Sequence, residues 1–316
     1  MRIRLDQRLE LLYAVMLLCG LDASGICVEA EDEFARATRE KFGRLAAHPA
    51  VASFNRLWKT EIDWDTLPNL ALILTPDFRL DEVFDPARVQ ECLASGKDLE
   101  EFTACLRDFH RTADFAVHFE QLQSRLEPWL GQLNELICRR PVQRILEAYL
   151  GVDLPATEVL LCTLTKPFLS ITVSGKQGET VFCLCSRRGL EIAEKHGNLE
   201  RVLLSAVWHE FSHHVINPLT YGLFDDIDSI NDAQAEWCCA LNESIIWAIN
   251  IRLLAREKII STQDISWMLK NAEANRAPQT RMMHDLLCDY EENRSKHAGI
   301  STFHRLLAEA GGPPPL

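Results

Sequence analysis

Residues 208–214 of this chain read Trp-His-Glu-Phe-Ser-His-His, and they contain the spacing HExxH from His209 to His213. Two histidines four residues apart on an α-helix project from the same face, and Glu210 lies beside them. This pattern is typical of a hydrolytic zinc site, in which the imidazoles bind the metal and the glutamate is the general base. We therefore expect Zn²⁺ as the cofactor, His209 and His213 as metal ligands, and Glu210 as the catalytic residue.

The sequence around the motif predicts one helix over about residues 199–216. Asn198 is a suitable N-cap, and Pro218 disfavours helical conformation at the residue before it. Apolar residues continue the line of both histidines at helical spacing, so we expect both imidazoles to face the interior. Buried imidazoles need hydrogen-bond partners or a metal. His214 is rotated by about 100° from His213 and is not expected to be a ligand.

A catalytic zinc ion has three protein ligands, so a third donor must come from elsewhere in the chain. The next long helix is predicted to begin at Asn231 or Asp232 and to end near Ala255. Glu236 and Glu243 share one face of this helix but lie about 10 Å apart along its axis, so only one can reach the metal. Glu243 is flanked by apolar residues and is the expected ligand, while Glu236 remains the alternative.

The HExxH motif followed by Asn242-Glu243 on a later helix resembles the gluzincin class of zinc metallopeptidases. In that class a glutamate after the motif is the third ligand, which the resemblance places at Glu243. The interval of 29 residues between His213 and Glu243 is longer than in thermolysin-like members. The resemblance implies hydrolysis of peptide bonds by a zinc-activated water, with Glu210 as the base and a peptide or protein as the substrate.

The stretch 208–219, WHEFSHHVINPL, is similar to a bacterial family with an HEFSH core followed by Asn-Pro, whose members are mostly labelled as domains of unknown function. Three further segments share this similarity: residues 5–12, 47–51 and 289–297. A side chain that stabilises the oxyanion is also expected in such a site. The sequence leaves four candidates open for that role: Tyr221, His284, Tyr290 and His297.

The fold class predicted from these patterns is α+β and predominantly helical. Residues 1–155 are predicted to form a helical N-terminal region, and residues 156–316 a zincin-like metallopeptidase domain. Within that domain, branched residues predict a small antiparallel sheet next to the HExxH helix, with an edge strand to which substrate can add. The predicted strands are 158–165, 169–173 and 180–185. The predicted helices of the first region include 98–137, broken near Pro128 and Gly131, and 141–150.

Composition limits the setting in which the protein works. The chain has 316 residues, 47% of them hydrophobic, a net charge of −13 and a pI near 5.3, which argue for a real core and against nucleic-acid or membrane partners. Residues 11–18 are apolar, but Asp6 and Glu10 precede them and the run is short, so we expect an amphipathic core helix. Eleven scattered cysteines without a CxxC pair fit a reducing compartment. Cytoplasmic localisation is therefore expected, or secretion if an N-terminal signal had been removed.

Two rival functions remain at the level of sequence. One is a zinc hydrolase that acts on a non-peptide amide and shares all the ligands named above. The other is a catalytically silent binding or scaffold protein that retains the zincin fold. The sequence leaves the oligomeric state and the cleavage preference open, and it predicts that residues 311–316 are disordered.

Overall fold

The structure is a computed structural model that describes residues 1–21, 25–59, 66–81, 96–176 and 178–312. This part of the chain is predominantly helical with one small mixed sheet, which confirms the coarse fold class. The chain divides into two compact units. Unit 1 comprises Met1–Cys138 and Pro155–Leu199, and unit 2 comprises Arg139–Leu154 and Glu200–Leu316. The predicted domain division at residue 155 stays a prediction, and most of the tail expected to be disordered lies outside the described residues.

Unit 1 combines helices with all four strands of the sheet. Its described helices are α1 (Gln7–Leu18), α2 (Glu33–Phe42), α3 (Pro49–Lys59), α4 (Thr66–Leu72), α5 (Gly96–Thr112), α6 (Phe115–Cys138) and α8 (Arg187–Lys195). Its strands are β1 (Ile3–Leu5), β2 (Ala156–Cys162), β3 (Leu169–Gly175) and β4 (Gly178–Ser186). The three strands predicted from branched residues are therefore present, with shifted ends, and β1 was not predicted.

The prediction of an antiparallel sheet was only partly right. The strand order is β1-β2-β4-β3, in which β3 and β4 pair antiparallel while β1-β2 and β2-β4 pair parallel. The short β3–β4 connection forms a hairpin, which requires antiparallel pairing. Strand β2 instead enters between β1 and β4, so that Ile3 pairs with Val159, more than 150 residues away in sequence. Three residues of strand at the N-terminus carry no local signal for such a distant partner.

Helix α1 lies in the core of unit 1. Every residue from Leu9 to Leu17 is buried, so the helix is enclosed on all sides and not along one stripe. The expectation of a core helix is confirmed, but the expectation that it is amphipathic was wrong. A helix that is apolar all round is typical of a buried position.

The break in the predicted helix 98–137 occurs at Ala113-Asp114 and not near Pro128 and Gly131. Asp114 has a φ of +49°, which ends α5 and starts α6 in a new direction. Pro128 lies inside α6. The buried stripe of α6 runs on one face through this position, because it includes Phe115, Phe119, Leu122, Leu126, Leu133 and Ile137. Packing on both sides of the proline therefore holds the helix together.

Unit 2 contains the motif helix and the helices around it. Its described helices are α7 (Val142–Leu150), α9 (Leu199–Tyr221, whose first residue belongs to unit 1), α10 (Asp232–Arg256), α11 (Thr262–Ala274), α12 (Thr280–Glu292) and α13 (Ile300–Ala310). Asn231 caps α10 in a capping box with Gln234, which confirms the predicted start. By length and composition α10 could cross a membrane, yet 67% of its apolar window is buried, and core helices pass the same test.

The motif helix α9 extends beyond its predicted end at residue 216. Pro218 lies within the helix, which continues to Tyr221. A proline removes one backbone hydrogen bond from a helix, so the last turn needs other support. The buried Thr220 hydroxyl lies 2.9 Å from His304 Nε2 on α13, and this contact supports the turn after the proline.

Two contacts fix α7 within unit 2. Trp208 on α9 is fully buried, and its indole N–H donates to the carbonyl of Val142 at 3.0 Å. At the other end of α7, Gly151 has a φ of +70° and approaches the backbone before α13 so closely that a Cβ atom would lie 2.5 Å from the carbonyl oxygen of Ala298. Only glycine meets both conditions at this position. The contact of Trp208 thus attaches the motif helix α9 to α7, and the contact of Gly151 attaches α7 to the segment before α13.

Candidate metal centre

Helices α9 and α10 lie side by side in opposite directions. Asn250 Nδ2 donates to the hydroxyl of Ser205 at 2.7 Å, and the ring centroids of His209 and Trp247 are 4.9 Å apart. Because the residue number rises along α9 while it falls along α10 in these contacts, the helices are antiparallel. Glu243 lies one turn before Trp247 and is therefore level with the second half of the HExxH motif.

Three side chains meet at this level, and we call them the His-His-Glu cluster: His209, His213 and Glu243. The two Nε2 atoms are 3.2 Å apart. Glu243 Oε2 lies 3.5 Å from His209 Nε2, and Glu243 Oε1 lies 3.5 Å from His213 Nε2. The structure thus brings together the three residues that the sequence singled out as metal ligands.

The geometry of the His-His-Glu cluster fits a zinc ion. Donor atoms about 2.1 Å from a tetrahedral zinc lie about 3.4 Å from one another. The three observed separations, from 3.2 to 3.5 Å, agree with this spacing. Two imidazoles and one carboxylate are also a donor set found in catalytic zinc sites. The cluster could therefore hold a metal ion with all three side chains as they stand.

Asn217 orients one of the histidines, and the sequence had not pointed to it as a site residue. Its Oδ1 atom lies 3.2 Å from His213 Nδ1. A carbonyl oxygen only accepts, so Nδ1 carries the proton and the lone pair of Nε2 faces the other two donors. A hydrogen bond of this kind fixes the tautomer of metal-binding histidines. The signal was the spacing of four residues from His213 to Asn217, which places both on one face of α9.

His209 is held differently from His213. Its Nδ1 atom is buried and has no hydrogen-bond partner among the residues that the structure describes. Its ring instead packs against Trp247 at an interplanar angle of 59°. The position of this imidazole is therefore fixed by an aromatic contact from α10, whereas the position of its neighbour is fixed by a polar contact within α9.

Burial along α9 leaves the face of the two histidines partly open. Their side chains are 12% and 19% exposed, and that of Glu243 is 31% exposed. Between the histidines, Glu210, Phe211 and Ser212 are buried. Both imidazoles are thus largely removed from solvent, as expected, but they line an accessible surface. A site that acts on external molecules needs such access.

The pKa values in the cluster follow from burial and from mutual contact. Burial, with the neighbouring His209, lowers the pKa of His213 to about 4. Burial also disfavours the charged form of His209, but Glu243 and Glu210 outweigh this and raise its pKa. The pKa of Glu243 is lowered, because the two histidines outweigh the effect of burial. The neutral form of His213 is the form that binds metals.

The structure separates the two candidate glutamates on α10. Glu243 belongs to the cluster, while Glu236 lies two turns nearer the start of the helix and is not part of any metal-ligand group found in the described residues. The sequence had favoured Glu243 because apolar residues flank it on α10, and of these Leu241, Ile245 and Ile246 are buried.

The four side chains considered for an oxyanion role lie outside the cluster. Tyr290 is buried and its hydroxyl donates to the carbonyl of Tyr149 at 2.9 Å, and His297 packs against the ring of Tyr290. His284 lies beside Asp285 on α12. Tyr221 lies against Cys239, one turn before Glu243, where burial raises the pKa of its phenol. The oxyanion role therefore stays unassigned among these residues.

The predicted sheet and the cluster fall in different units, since β1 to β4 belong to unit 1 and the three donors to unit 2. A zincin-like arrangement with the sheet next to α9, and substrate binding to an edge strand, therefore remain predictions.

Comparison with known proteins gives the family but no activity. A family model described as "Domain of unknown function (DUF4932)" matches residues 77–309. The chain belongs to this family, and the match includes the whole His-His-Glu cluster. No curated protein and no solved structure matches the chain.

Proposed function

We propose that this protein is a zinc-dependent metallopeptidase. The observation that carries the proposal is the meeting of His209, His213 and Glu243 at mutual distances of 3.2 to 3.5 Å, on the helix of the HExxH motif and its neighbour. A zinc ion held there would act as a Lewis acid and lower the pKa of a water molecule from about 15.7 towards 7. Peptides or proteins are the proposed substrates.

The residues of the chain have separate roles in this proposal. His209 and His213 bind through Nε2, and Asn217 keeps the proton of His213 on Nδ1. Glu243 supplies the negative charge that completes the ligand set. Glu210 takes a proton from water and delivers it to the departing amine. Glu210 directly follows His209 on α9, as the HExxH pattern of such sites requires.

The test compares two glutamates with one matched control. We expect Glu210→Gln to keep stoichiometric zinc, measured by elemental analysis, and to lose about 10²–10⁴-fold in peptide hydrolysis, because a general base contributes about this much. Glu243→Gln should lose zinc, whereas Glu236→Gln on the same helix should keep both zinc and turnover. Retained hydrolysis in Glu210→Gln would exclude it as the base, and zinc loss in Glu236→Gln alone would reassign the third ligand.

The rival functions are outcomes of the same experiment. Turnover of small amides without cleavage of a peptide library would indicate a hydrolase of non-peptide amides. Stoichiometric zinc without any hydrolysis that a chelator removes would indicate a binding or scaffold protein. Protein that neither contains zinc nor takes it up would overturn the proposal.

A further inference from the structure

Unit 1 contains a cavity of about 180 Å³ that has no part in the proposed metal site. Helices α1, α2 and α6 and the connection between β2 and β3 line this cavity. Its wall includes the buried residues Glu10 and Thr163, while the exposed residues Ala37, Gln121 and Arg125 lie at its opening. The cavity therefore leads from the surface of unit 1 to a buried carboxyl group.

The carboxyl group of Glu10 has hydrogen bonds but no counter-charge. The backbone N–H of Thr163 donates to Glu10 Oε1 at 2.8 Å, and the hydroxyl of Thr163 donates to Glu10 Oε2. An ionised carboxylate can accept about four hydrogen bonds, so part of its capacity is unused. Within the part of the chain that the structure describes, Glu10 forms no ion pair, although it is only 3% exposed. A buried carboxylate without an opposite charge is costly, so a ligand that supplies both donors and positive charge would be favoured here.

The charged side chains joined to Glu10 through Thr163 do not supply this positive charge. Arg187 approaches the same threonine, since its Nε donates to the carbonyl of Thr163 at 3.2 Å. However, the guanidinium group of Arg187 is already paired with both Asp32 and Glu191. When Glu10 is ionised, these four charged side chains carry three negative charges and one positive charge. A cationic ligand next to Glu10 would reduce this imbalance.

The basic groups near the opening of the cavity have partners or are solvated. Arg125 pairs with Glu33 at 3.0 Å. Lys41 is exposed and its Nζ donates to Gln121 Oε1 at 3.3 Å. Solvent and salt screen such surface charges from a group at the buried end of the cavity. His118 also lines the cavity, and it is neutral because burial lowers its pKa to about 4. These groups therefore leave the buried end of the cavity open to a cation.

The rest of the wall combines one hydroxyl group with apolar side chains. Thr38 on α2 is 4% exposed, and its hydroxyl forms no hydrogen bond within the described residues. Buried hydroxyl groups normally have a partner, so this oxygen is a second acceptor that a ligand could satisfy. Phe115 and Leu122 on α6, together with Leu164, add apolar surface. The cavity thus offers hydrogen-bond acceptors for a charged group and an apolar wall for the body that carries it.

We propose that this cavity binds a primary ammonium group attached to a small apolar body. The ammonium group would donate to the carboxylate of Glu10, with Thr38 as a second acceptor, while the apolar body contacts Phe115 and Leu122. A cavity of about 150 Å³ holds benzene, so a body of about six carbon atoms matches the size of this one. The ammonium group belongs either to a free amine or to a lysine side chain, and the two sources share the same chemistry. The inference concerns unit 1 alone and does not depend on the proposed peptidase function.

The experiment compares cations with neutral molecules of the same size. The protein is titrated calorimetrically with hexylamine and hexanol, and with Nα-acetyl-lysine methylamide and its norleucine counterpart. At about pH 8 a primary amine is protonated and Glu10, with a pKa of about 7, is ionised. We expect hexylamine or the lysine derivative to bind about tenfold or more tightly than its neutral counterpart, as hydrogen bonds to charged groups allow. The tighter of the two amines identifies the source of the ammonium group.

Variants then locate the binding site. Glu10→Gln should abolish the preference for the amine, because the amide keeps the shape of the side chain without its charge. Ala37→Phe places a large side chain at the opening and should block both the amine and its neutral counterpart. Ala116→Phe is the matched control, since Ala116 is equally exposed but lies on α6 outside the cavity, and it should bind as the wild type does.

Several results would overturn the inference. They are equal binding of amine and neutral counterpart, no binding of any of these molecules, an unchanged preference in Glu10→Gln, and unchanged amine binding in Ala37→Phe. An amine that bound a metal ion in unit 2 would keep its affinity in Glu10→Gln, so this variant also separates the two sites. Zinc content and peptide hydrolysis test the proposed function independently, so that either proposal can fail while the other stands.

Discussion

Each of the two units of this protein contains a polar cluster, and the two clusters are built on opposite rules. In unit 1, the fully buried Arg187 pairs with Asp32 and Glu191, and its Nε donates to the carbonyl of Thr163 at 3.2 Å. Its guanidinium group also covers the ring of Phe34 at 4.1 Å. The cation therefore has both opposite charges and hydrogen-bond acceptors around it. We call this group of mutually paired side chains the Arg187 network.

The His-His-Glu cluster of unit 2 collects donor atoms without an internal cation of this kind. Among the described residues no lysine or arginine lies within ion-pair distance of Glu243, and its two nearest charged or titratable partners are the imidazoles. Three electron-pair donors that face one point are a chelating arrangement, whereas a paired arginine is a structural one. The comparison teaches that the set of partners around a shielded charge distinguishes a candidate metal centre from a core ion pair.

We expect the largest effect on stability from breaking the Arg187 network of unit 1. Arg187→Met removes the cation and leaves the buried carboxylate of Asp32 without its counter-charge. Breaking a buried pair in this way costs about 3–5 kcal/mol of unfolding free energy. Chemical denaturation of the full chain measures this loss, with Arg188→Met as the control because the neighbouring side chain is only half-buried. Similar stability for both variants would show that the network does not stabilise the fold.

Glu10 offers a second test of the Arg187 network, because the contribution of its carboxyl to stability depends on pH. This buried carboxyl accepts from the N–H of Thr163 at 2.8 Å and from the hydroxyl of the same residue. Burial, which outweighs these hydrogen bonds, raises the pKa of Glu10 from 4.5 to about 7. A raised acid pKa means that the folded state holds the proton more tightly than the unfolded state. The contribution of Glu10 to the free energy of unfolding is therefore fully present below pH 4.5 and is lost as the pH rises through about 7.

Glu10→Gln should remove this dependence, because the amide mimics the protonated acid. We expect the variant to be as stable as wild type near pH 4.5 and more stable above pH 7, by about 3 kcal/mol at most. Unfolding free energies from pH 4.5 to 8 measure the difference. The exposed Glu40→Gln should show no such trend. A constant difference between variant and wild type across this range would contradict the assignment.

Much of the candidate site could be predicted from the sequence because its signals are local. The HExxH spacing places two imidazoles on one helical face, and the apolar neighbours of Glu243 favour it over Glu236, which is exposed in the structure. Asn231 correctly predicted where α10 begins. Each of these inferences depends on residues within two or three helical turns.

The features that escaped prediction depend on distant partners. Strand β1 exists because residues 3–5 pair with residues 159–161, and Pro218 remains helical because Thr220 contacts His304. Such contacts are decided by tertiary packing, which overrides the local preferences that a sequence pattern records.

A third prediction concerns the metal centre and the contact that orients His213. Asn217→Ala removes the acceptor that orients His213, and losing such an outer contact typically weakens metal binding about 10–100-fold. Zinc affinity measured by competition with a chromophoric chelator should fall by this amount. Asn217→Asp keeps an oxygen acceptor at the same place and should retain most of the affinity. An affinity unchanged in Asn217→Ala would mean that the helix alone orients the imidazole.

The smallest expected effect concerns the link between the cluster and its surroundings. Ser244→Ala leaves the N–H of Gln279 without its acceptor, which should cost about 1 kcal/mol of unfolding free energy. Ser212→Ala is a close control, since the Ser212 hydroxyl also donates to a carbonyl four residues earlier, that of Trp208, at 2.7 Å. Within the described part of the chain, Ser244 also accepts a hydrogen bond from another segment, whereas Ser212 does not. A larger loss for Ser244→Ala than for Ser212→Ala would therefore measure the attachment of the α11–α12 connection, and equal losses would show that this connection is held in place by its other contacts.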